Sequence, residues 1–156
     1  MLDEFVKPGD IVISAGRHNS IYGADGALGL NVNIEQLAHV LMKGNFQMQI
    51  PQTVKITVKG SLQGKASAID AFITFLGNTV MENFSGRALE FTGEGMDSMT
   101  KPQRETFLSM VAQTGAVTAF YQEDAGGQYA KEIEFDLGAV VPAAALPSTL
   151  YTYKPT

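Results

Sequence analysis

The amino-acid sequence predicts an α/β domain built on a mixed or mainly parallel sheet. Two observations carry this. Short β-branched or alternating runs take turns with runs of helical period along the chain, and glycine or proline turn signals separate them. A third observation is the order of the first elements, strand then glycine-rich loop then helix, which opens an α/β unit. At 156 residues the chain has the size of one domain, and a chain of this length hides roughly two-thirds of its unfolded surface.

The elements follow in order. DIVISA at 10–15, after Pro8-Gly9, reads as a buried strand behind a turn. Residues 16–29 form a glycine-rich loop. Residues 33–43 place Ile34, Leu37, Ala38, Leu41 and Met42 at helical spacing, with Asn33 as cap and Gly44 as stop. TVKITVKG at 53–60 alternates Val54, Ile56 and Val58 with Lys55, Thr57 and Lys59. That pattern predicts a half-buried strand near a sheet edge. An apolar helix follows at 67–76, its Ser67 and Asp70 spaced as a capping box, and Gly77-Asn78 closes it. RALEFT at 87–92 is a second alternating strand, followed by a tight turn at 93–99. A helix over 101–114 begins near Pro102 and stops at Gly115. Strands are expected at 116–121 and 132–137, with an exposed loop at 123–129 between them. Residues 1–137 form the predicted domain. From 138 to 156, Pro142, Pro147 and Pro155 interrupt any regular helix, so an extended arm is expected.

Composition narrows the chemistry. There are 16 Asp and Glu against 11 Lys and Arg, and no cysteine. Without cysteine the chain builds no disulfide, thiolate zinc site or cysteine nucleophile. Two distant histidines, His18 and His39, do not make a transition-metal site. No basic stripe is present to neutralise phosphates, so nucleic acid is disfavoured as a partner. The sequence shows neither a secretory signal pattern nor about 20 consecutive apolar residues, so no membrane span is expected and a cytoplasmic address is the default. Charged residues make up only 17% of the chain against about 25% in typical domains. This is compatible with a surface covered by another chain or a second copy.

Three groups of residues are candidates for chemistry. Arg17, His18 and Asn19 follow the first strand, where α/β folds place ligand sites. Arg17 suits a carboxylate clamp, His18 an acid/base and Asn19 a hydroxyl ligand. Gly23, Gly26 and Gly29 recur every third residue. This is not a dinucleotide or P-loop spacing, and it points to close backbone packing. Glu94, with Arg104 and Glu105 behind it, sits at a strand-to-helix turn as a ligand, a base or a cap. His39 lies in a helix and reads as structural; Met42, Met96, Met99 and Met110 read as core filler.

Taken together, these segments resemble the aconitase superfamily, especially the large subunits of isopropylmalate dehydratase and homoaconitase. The resemblance rests on VKPGDIV at 6–12, His18, Tyr22-Gly23 and GALG at 26–29. It continues through Val40-Leu41, Gly44, IPQTVK at 50–55, Gly60, Ala68 and Asp70. EFTGEGMDSM at 90–99, the most specific part, is followed by Arg104, Met110 and Gly115-Ala116. The matching stretches keep the family's order from about Phe5 to Pro147. The resemblance implies a three-layer α/β/α domain. It also implies kinship with hydro-lyases that dehydrate hydroxy-di- or tricarboxylic acids on a three-cysteine [4Fe-4S] cluster whose open iron acts as Lewis acid. The cluster cysteines fall beyond the last residue of this chain, which then corresponds to an internal portion of the large subunit.

Carried over residue by residue, the resemblance preserves packing positions and loses chemical ones. The family's Asp-Ser-His-Thr loop reads Gly16, Arg17, His18, Asn19 here, so His18 lacks the acid that orients an imidazole and raises its basicity. The family's Cys-Asn-Met reads Leu108, Ser109, Met110, and its active-site Glu is Gln113, an amide that exchanges no proton at neutral pH. His18, Ser109 and Gln113 are therefore what remains at the catalytic positions, and no cofactor is expected on this chain alone. Three functions follow as expectations. The chain is a non-catalytic aconitase-like module, a piece of a split hydro-lyase completed by a complementary chain, or a binding module gripping a small carboxylate through Arg17, His18 and Asn19. Self-association to a homo-oligomer is expected as well.

Overall fold

The computed structural model describes residues 5–123 and 126–145, and the backbone of 153–155. Its centre is a four-stranded sheet in the order β5-β4-β3-β6, every neighbouring pair parallel. The strands are β3 (Thr53–Lys59), β4 (Ala88–Thr92), β5 (Thr118–Tyr121) and β6 (Lys131–Asp136). A separate parallel pair joins β1 (Ile11–Ser14) to β2 (Leu28–Asn31), and an antiparallel pair joins β7 (Ala143–Ala145) to β8 (Tyr153–Pro155). The helices are α1 (Ile34–Lys43), α2 (Ala68–Asn78), the short α3 (Glu94–Ser98) and α4 (Lys101–Ser109). The α/β class and the dominance of parallel pairing follow the sequence reading.

The core lies between one face of the sheet and the helices α2 and α4. Val54, Ile56 and Val58 of β3 point there, with Leu89 and Phe91 of β4, and all five are buried. Phe75 of α2 is its hub. Its ring centroid lies 5.5 Å from Phe135, 5.6 Å from Phe91 and 6.0 Å from Phe107. Edge-to-face rings at such spacings contribute beyond the area they bury. The helix ends are sealed by side chains, as the sequence predicts. Ser67 Oγ accepts from the Asp70 amide while Asp70 Oδ2 accepts from the Ser67 amide, and Asn33 and Gln36 do the same for α1.

The opposite face of the sheet is lined differently from the face that packs on α2 and α4. β5 and β6 are the two edges of the sheet, so the chain between them recrosses it. Tyr129, near the end of this connection, lies on the face away from α2 and α4. There the Tyr129 hydroxyl donates to Glu90 at 2.9 Å, and the Lys55 ammonium lies 5.3 Å from the Tyr129 ring centre. Most of this face is polar: Lys55, Thr57 and Lys59 of β3 stand beside Glu90 and Thr92 of β4 and Glu132 and Glu134 of β6, while Phe120 of β5 stands beside Glu90. The alternation of β3 therefore reports a polar second face. Its placement near a sheet edge is corrected, because β3 is hydrogen-bonded on both sides, to β4 and to β6.

Three further differences have local causes. The stretch expected as an unbroken glycine loop contains a 3-10 helix at Asn19–Asp25 and the strand β2. Both were hidden because β2 is only four residues long and carries Gly29. The helix expected over 101–114 ends at Ser109, and the chain tightens into a 3-10 turn at Val111–Thr114. Helix α1 forms between its predicted caps but buries none of its residues, so Met42, expected in the core, is 75% exposed. Met96 and Met99 are buried as expected, and Met110 packs on the core from its margin. Of the expected arm over 138–156, Val140 joins the core and β7 lies against α2. Residues 146–152 and 156 fall outside the described residues.

Candidate binding cleft

The cleft is built where β1 and β2 end, as is usual for ligand sites in parallel α/β folds. The 3-10 helix at Asn19–Asp25 lies directly on both β2 and β5, and glycine permits this. A Cβ at Gly29 would stand 1.8 Å from the Asn19 carbonyl oxygen, and one at Gly23 would stand 2.1 Å from the Ala119 carbonyl oxygen. The glycine series is thus a set of close backbone approaches. Asn19 fixes the turn: its amide donates to the carbonyls of Ser14 and Leu30 at 2.9 and 3.0 Å, and its oxygen accepts from Ser14 Oγ at 2.6 Å. The loop 15–18 is left projecting, with Gly16 donating its amide to Asn31 Oδ1 at 3.3 Å.

Arg17 and His18 come forward from that loop into a cleft of 680 Å³, which Asn31, Ala112 and Gln113 complete. This volume falls in the usual range for small-molecule sites. His18 Nδ1 lies 2.9 Å from the Ser109 carbonyl oxygen. A carbonyl only accepts, so Nδ1 carries the proton and donates. In the neutral ring Nε2 then keeps its lone pair for a ligand. A backbone carbonyl stands where the resemblance implies a carboxylate. It orients the ring as an acid would but adds no full negative charge.

The structure brings Arg17, His18 and Gln113 together and separates the other candidates from them. Asn19 is buried with its amide committed to the backbone, so it holds the loop and does not face the cleft. Ser109 donates its hydroxyl to the Thr106 carbonyl at 2.8 Å, so what it offers the site is its own carbonyl. Glu94 is exposed and accepts the Gly60 amide at 3.3 Å. Arg104 closes the turn behind α3, donating to the carbonyls of Met99 and Met96 at 2.6 and 3.3 Å, with its guanidinium 5.1 Å from the Tyr121 ring centre. The Tyr121 hydroxyl donates to Asp97, and this bond first, then burial, raises the phenol above its ordinary value. His39 is exposed on α1. Asn31 and Ala112 are cleft residues that sequence reasoning missed. The signal for Asn31 was its place at a parallel strand's carboxyl end, which becomes visible only once β2 is recognised.

The iron–sulfur cluster implied by the resemblance does not fit the residues present. The chain has no cysteine, and among the described residues no group of three or more His, Asp or Glu side chains converges to hold a metal ion. No helix among the described residues is long and apolar enough to cross a membrane.

Fold and cleft together define an α/β domain with an open cleft at the carboxyl ends of a parallel strand pair. The chain belongs to the aconitase family: the model of that family, described as aconitate hydratase, matches residues 1–125. It is 28% identical to the 3-isopropylmalate dehydratase large subunit of Desulfatibacillum aliphaticivorans, with 91% of this chain and 39% of that protein covered. It is 25% identical to 3-isopropylmalate dehydratase large subunit 2 of Archaeoglobus fulgidus, covering 94% and 41%. It is 26% identical to the probable methanogen homoaconitase large subunit of Methanothermobacter thermautotrophicus, covering 97% and 40%. The chain spans about two-fifths of the length of these curated relatives.

Proposed function

We propose that this domain binds a small di- or tricarboxylic acid in the Arg17–His18 cleft and does not by itself dehydrate it. The observation that carries this reading is the His18–Ser109 contact beside Arg17. A fixed cation and an imidazole of set orientation converge in a cleft of the right size, while neither a carboxylate nor a thiolate stands with them. Arg17 is suited to grip one carboxylate through two parallel N–H donors. His18 Nε2 accepts from a ligand hydroxyl or, once the ring is protonated, donates to a second carboxylate. Gln113 supplies an amide to the same ligand. The cleft has positioning groups but no base paired with an acid, so ligand is held without being converted. Relatives named for isopropylmalate and homoaconitate chemistry support hydroxy acids as the ligand class.

Calorimetric titration with malate, citrate and isopropylmalate tests this. Saturable heat is expected, with Arg17→Ala weakening binding at least about tenfold, the equivalent of one charge-assisted contact. Absence of heat at millimolar ligand would remove the reading. Dehydration of any of these acids by the purified chain would show that the catalytic half of the proposal is wrong.

A second reading is favoured by the relatives, which are named as large subunits. In it a complementary chain completes a hydro-lyase around this domain, supplying cluster ligands and further arginines. A cysteine-bearing aconitase-family frame beside the gene, whose product restores turnover on mixing, is the expected finding. If mixing with that product restores no turnover, this reading fails.

A further inference from the structure

His18 is the cleft residue of a type that changes charge near neutral pH, and its surroundings fix where the change occurs. Nδ1 donates to the Ser109 carbonyl at 2.9 Å, so the second proton of the ring is gained or lost at Nε2, the nitrogen left for the cleft. Protonation there keeps the bond to Ser109 in place, because Nδ1 donates in both forms. No acid stands ready to pair with the charged ring. Besides His18 the cleft is lined by Arg17, Asn31, Ala112 and Gln113, and of these Arg17 alone is charged. The other charged side chains on the elements around His18 are engaged elsewhere. Asp25 of the 3-10 helix pairs with Lys101 of α4 at 2.8 Å. Arg104 of α4 holds the Met96 and Met99 carbonyls, and Glu105 acts on the Asp25 carboxyl. Strands β1 and β2 and the turn Val111–Thr114 carry no charged side chain.

We infer that His18 makes the cleft select ligands with two carboxylates over ligands with one, by taking up a proton at Nε2 as the second carboxylate enters. Arg17 satisfies one carboxylate. A second one has only His18 left to meet, and an anion close by favours the charged form of an imidazole. The ligand thus supplies the negative partner that the cleft lacks, and solvent supplies the proton. With a monocarboxylate the same proton would leave an excess positive charge beside Arg17, so the ring stays neutral. This coupling rests on the carboxylate reading of the cleft and adds to it a proton that travels with the ligand. Its sign follows: a ligand that binds the protonated ring more tightly gains affinity as pH falls through the range in which a histidine titrates.

Calorimetry with malate and lactate tests this. The two share a 2-hydroxycarboxylate end and differ by the second carboxylate, and ordinary carboxyls stay ionised above about pH 6. Titration in buffers of different ionisation enthalpy reads the proton directly. Malate is expected to bring about half a proton or more into the unmodified chain at pH 7, and to bind at least about fivefold more tightly at pH 6 than at pH 8. Lactate is expected to bind at least about tenfold more weakly than malate at pH 7. His18→Gln keeps an N–H donor but cannot titrate, so its malate affinity is expected to be flat from pH 6 to pH 8, with no proton uptake. Malate heat without proton uptake, uptake that persists in His18→Gln, or lactate binding as tight as malate would each overturn the selection by His18 while leaving the carboxylate reading standing. No heat with malate at millimolar concentration would remove both.

Discussion

The four-stranded sheet with α2 and α4, and the lobe made of β1, β2 and α1, are built on different terms. In the first, every apolar position of the strands finds a partner, and Phe75 alone touches five other rings. In the second, backbone meets backbone through glycines, one asparagine ties the strand ends together, and the only long helix buries nothing. The core region is held by volume and the lobe by hydrogen bonds and close approach. A domain of this kind can keep its fold while the polar residues of its cleft change, because almost none of them supports the core. His18 and Gln113 are exposed, and what stabilises their surroundings is Asn19, Gly23 and Gly29.

The largest expected effect separates the two regions most sharply. Phe75→Ala removes a fully buried ring from the centre of the core and is expected to cost about 3–5 kcal/mol in urea unfolding. Leu41→Ala on α1, measured in dilute protein, is expected to change stability by about 0.5 kcal/mol or less. If the two costs were comparable, the description of α1 as an uncovered face would be wrong. Gly29→Ala comes next. The Cβ it adds stands 1.8 Å from the Asn19 carbonyl oxygen, so β2 and the 3-10 turn must separate, at about 1–3 kcal/mol. Gly44→Ala is the control within the lobe. A Cβ at Gly44 meets nothing within 4 Å, though its φ of 69° is left-handed, so a cost of only about 1 kcal/mol is expected.

Asn19→Ala is the lobe's counterpart of a core deletion. It breaks three hydrogen bonds that tie the ends of β1 and β2 together, at about 1–3 kcal/mol. Because Asn19 anchors the loop carrying Arg17 and His18, carboxylate binding should fall with it although Asn19 does not face the cleft. If ligand affinity is unchanged while stability drops, the loop is positioned by other contacts and the link drawn from Asn19 to the cleft is broken.

The same division explains what was legible in the sequence. The core elements were readable because each writes its own pattern: alternation in β3, the Ser67–Asp70 box on α2, Pro102 at the start of α4. The placement of β3 was not, because lysines on a solvated strand face and lysines on a sheet edge look identical in one dimension. In the lobe β1 and α1 were read from their own patterns and β2 was not, and the resemblance added a family position for His18. That identified the position of His18 but could not show that Ser109 holds its ring, a contact spanning 91 residues of sequence. Asn19 read as a ligand residue for a related reason. A polar side chain beside a cleft and one turned inward beneath it differ only in the direction of a side chain.

The smallest expected effect lies at the junction between α2 and the C-terminal segment, and it depends on pH. Asp70 Oδ1 accepts the Ala143 amide at 2.9 Å, while Oδ2 caps α2 through Ser67. Burial pushes the carboxyl up, but the bonds from Ser67, Ala143 and its own amide outweigh it, so its folded value lies below the ordinary one. A carboxyl depressed by folding contributes stability above its unfolded value and loses it as pH falls through the folded one. The advantage of the unmodified chain over Asp70→Asn should therefore be complete at neutral pH, shrink below about pH 4 and vanish in stronger acid. Hydrogen exchange at the Ala143 amide should quicken over the same window, because that bond loses its charged acceptor. Should the gap between the two chains stay constant down to strong acid, Asp70 acts through shape alone, and the C-terminal strand is held by its contacts with α2 and not by the charge at its foot.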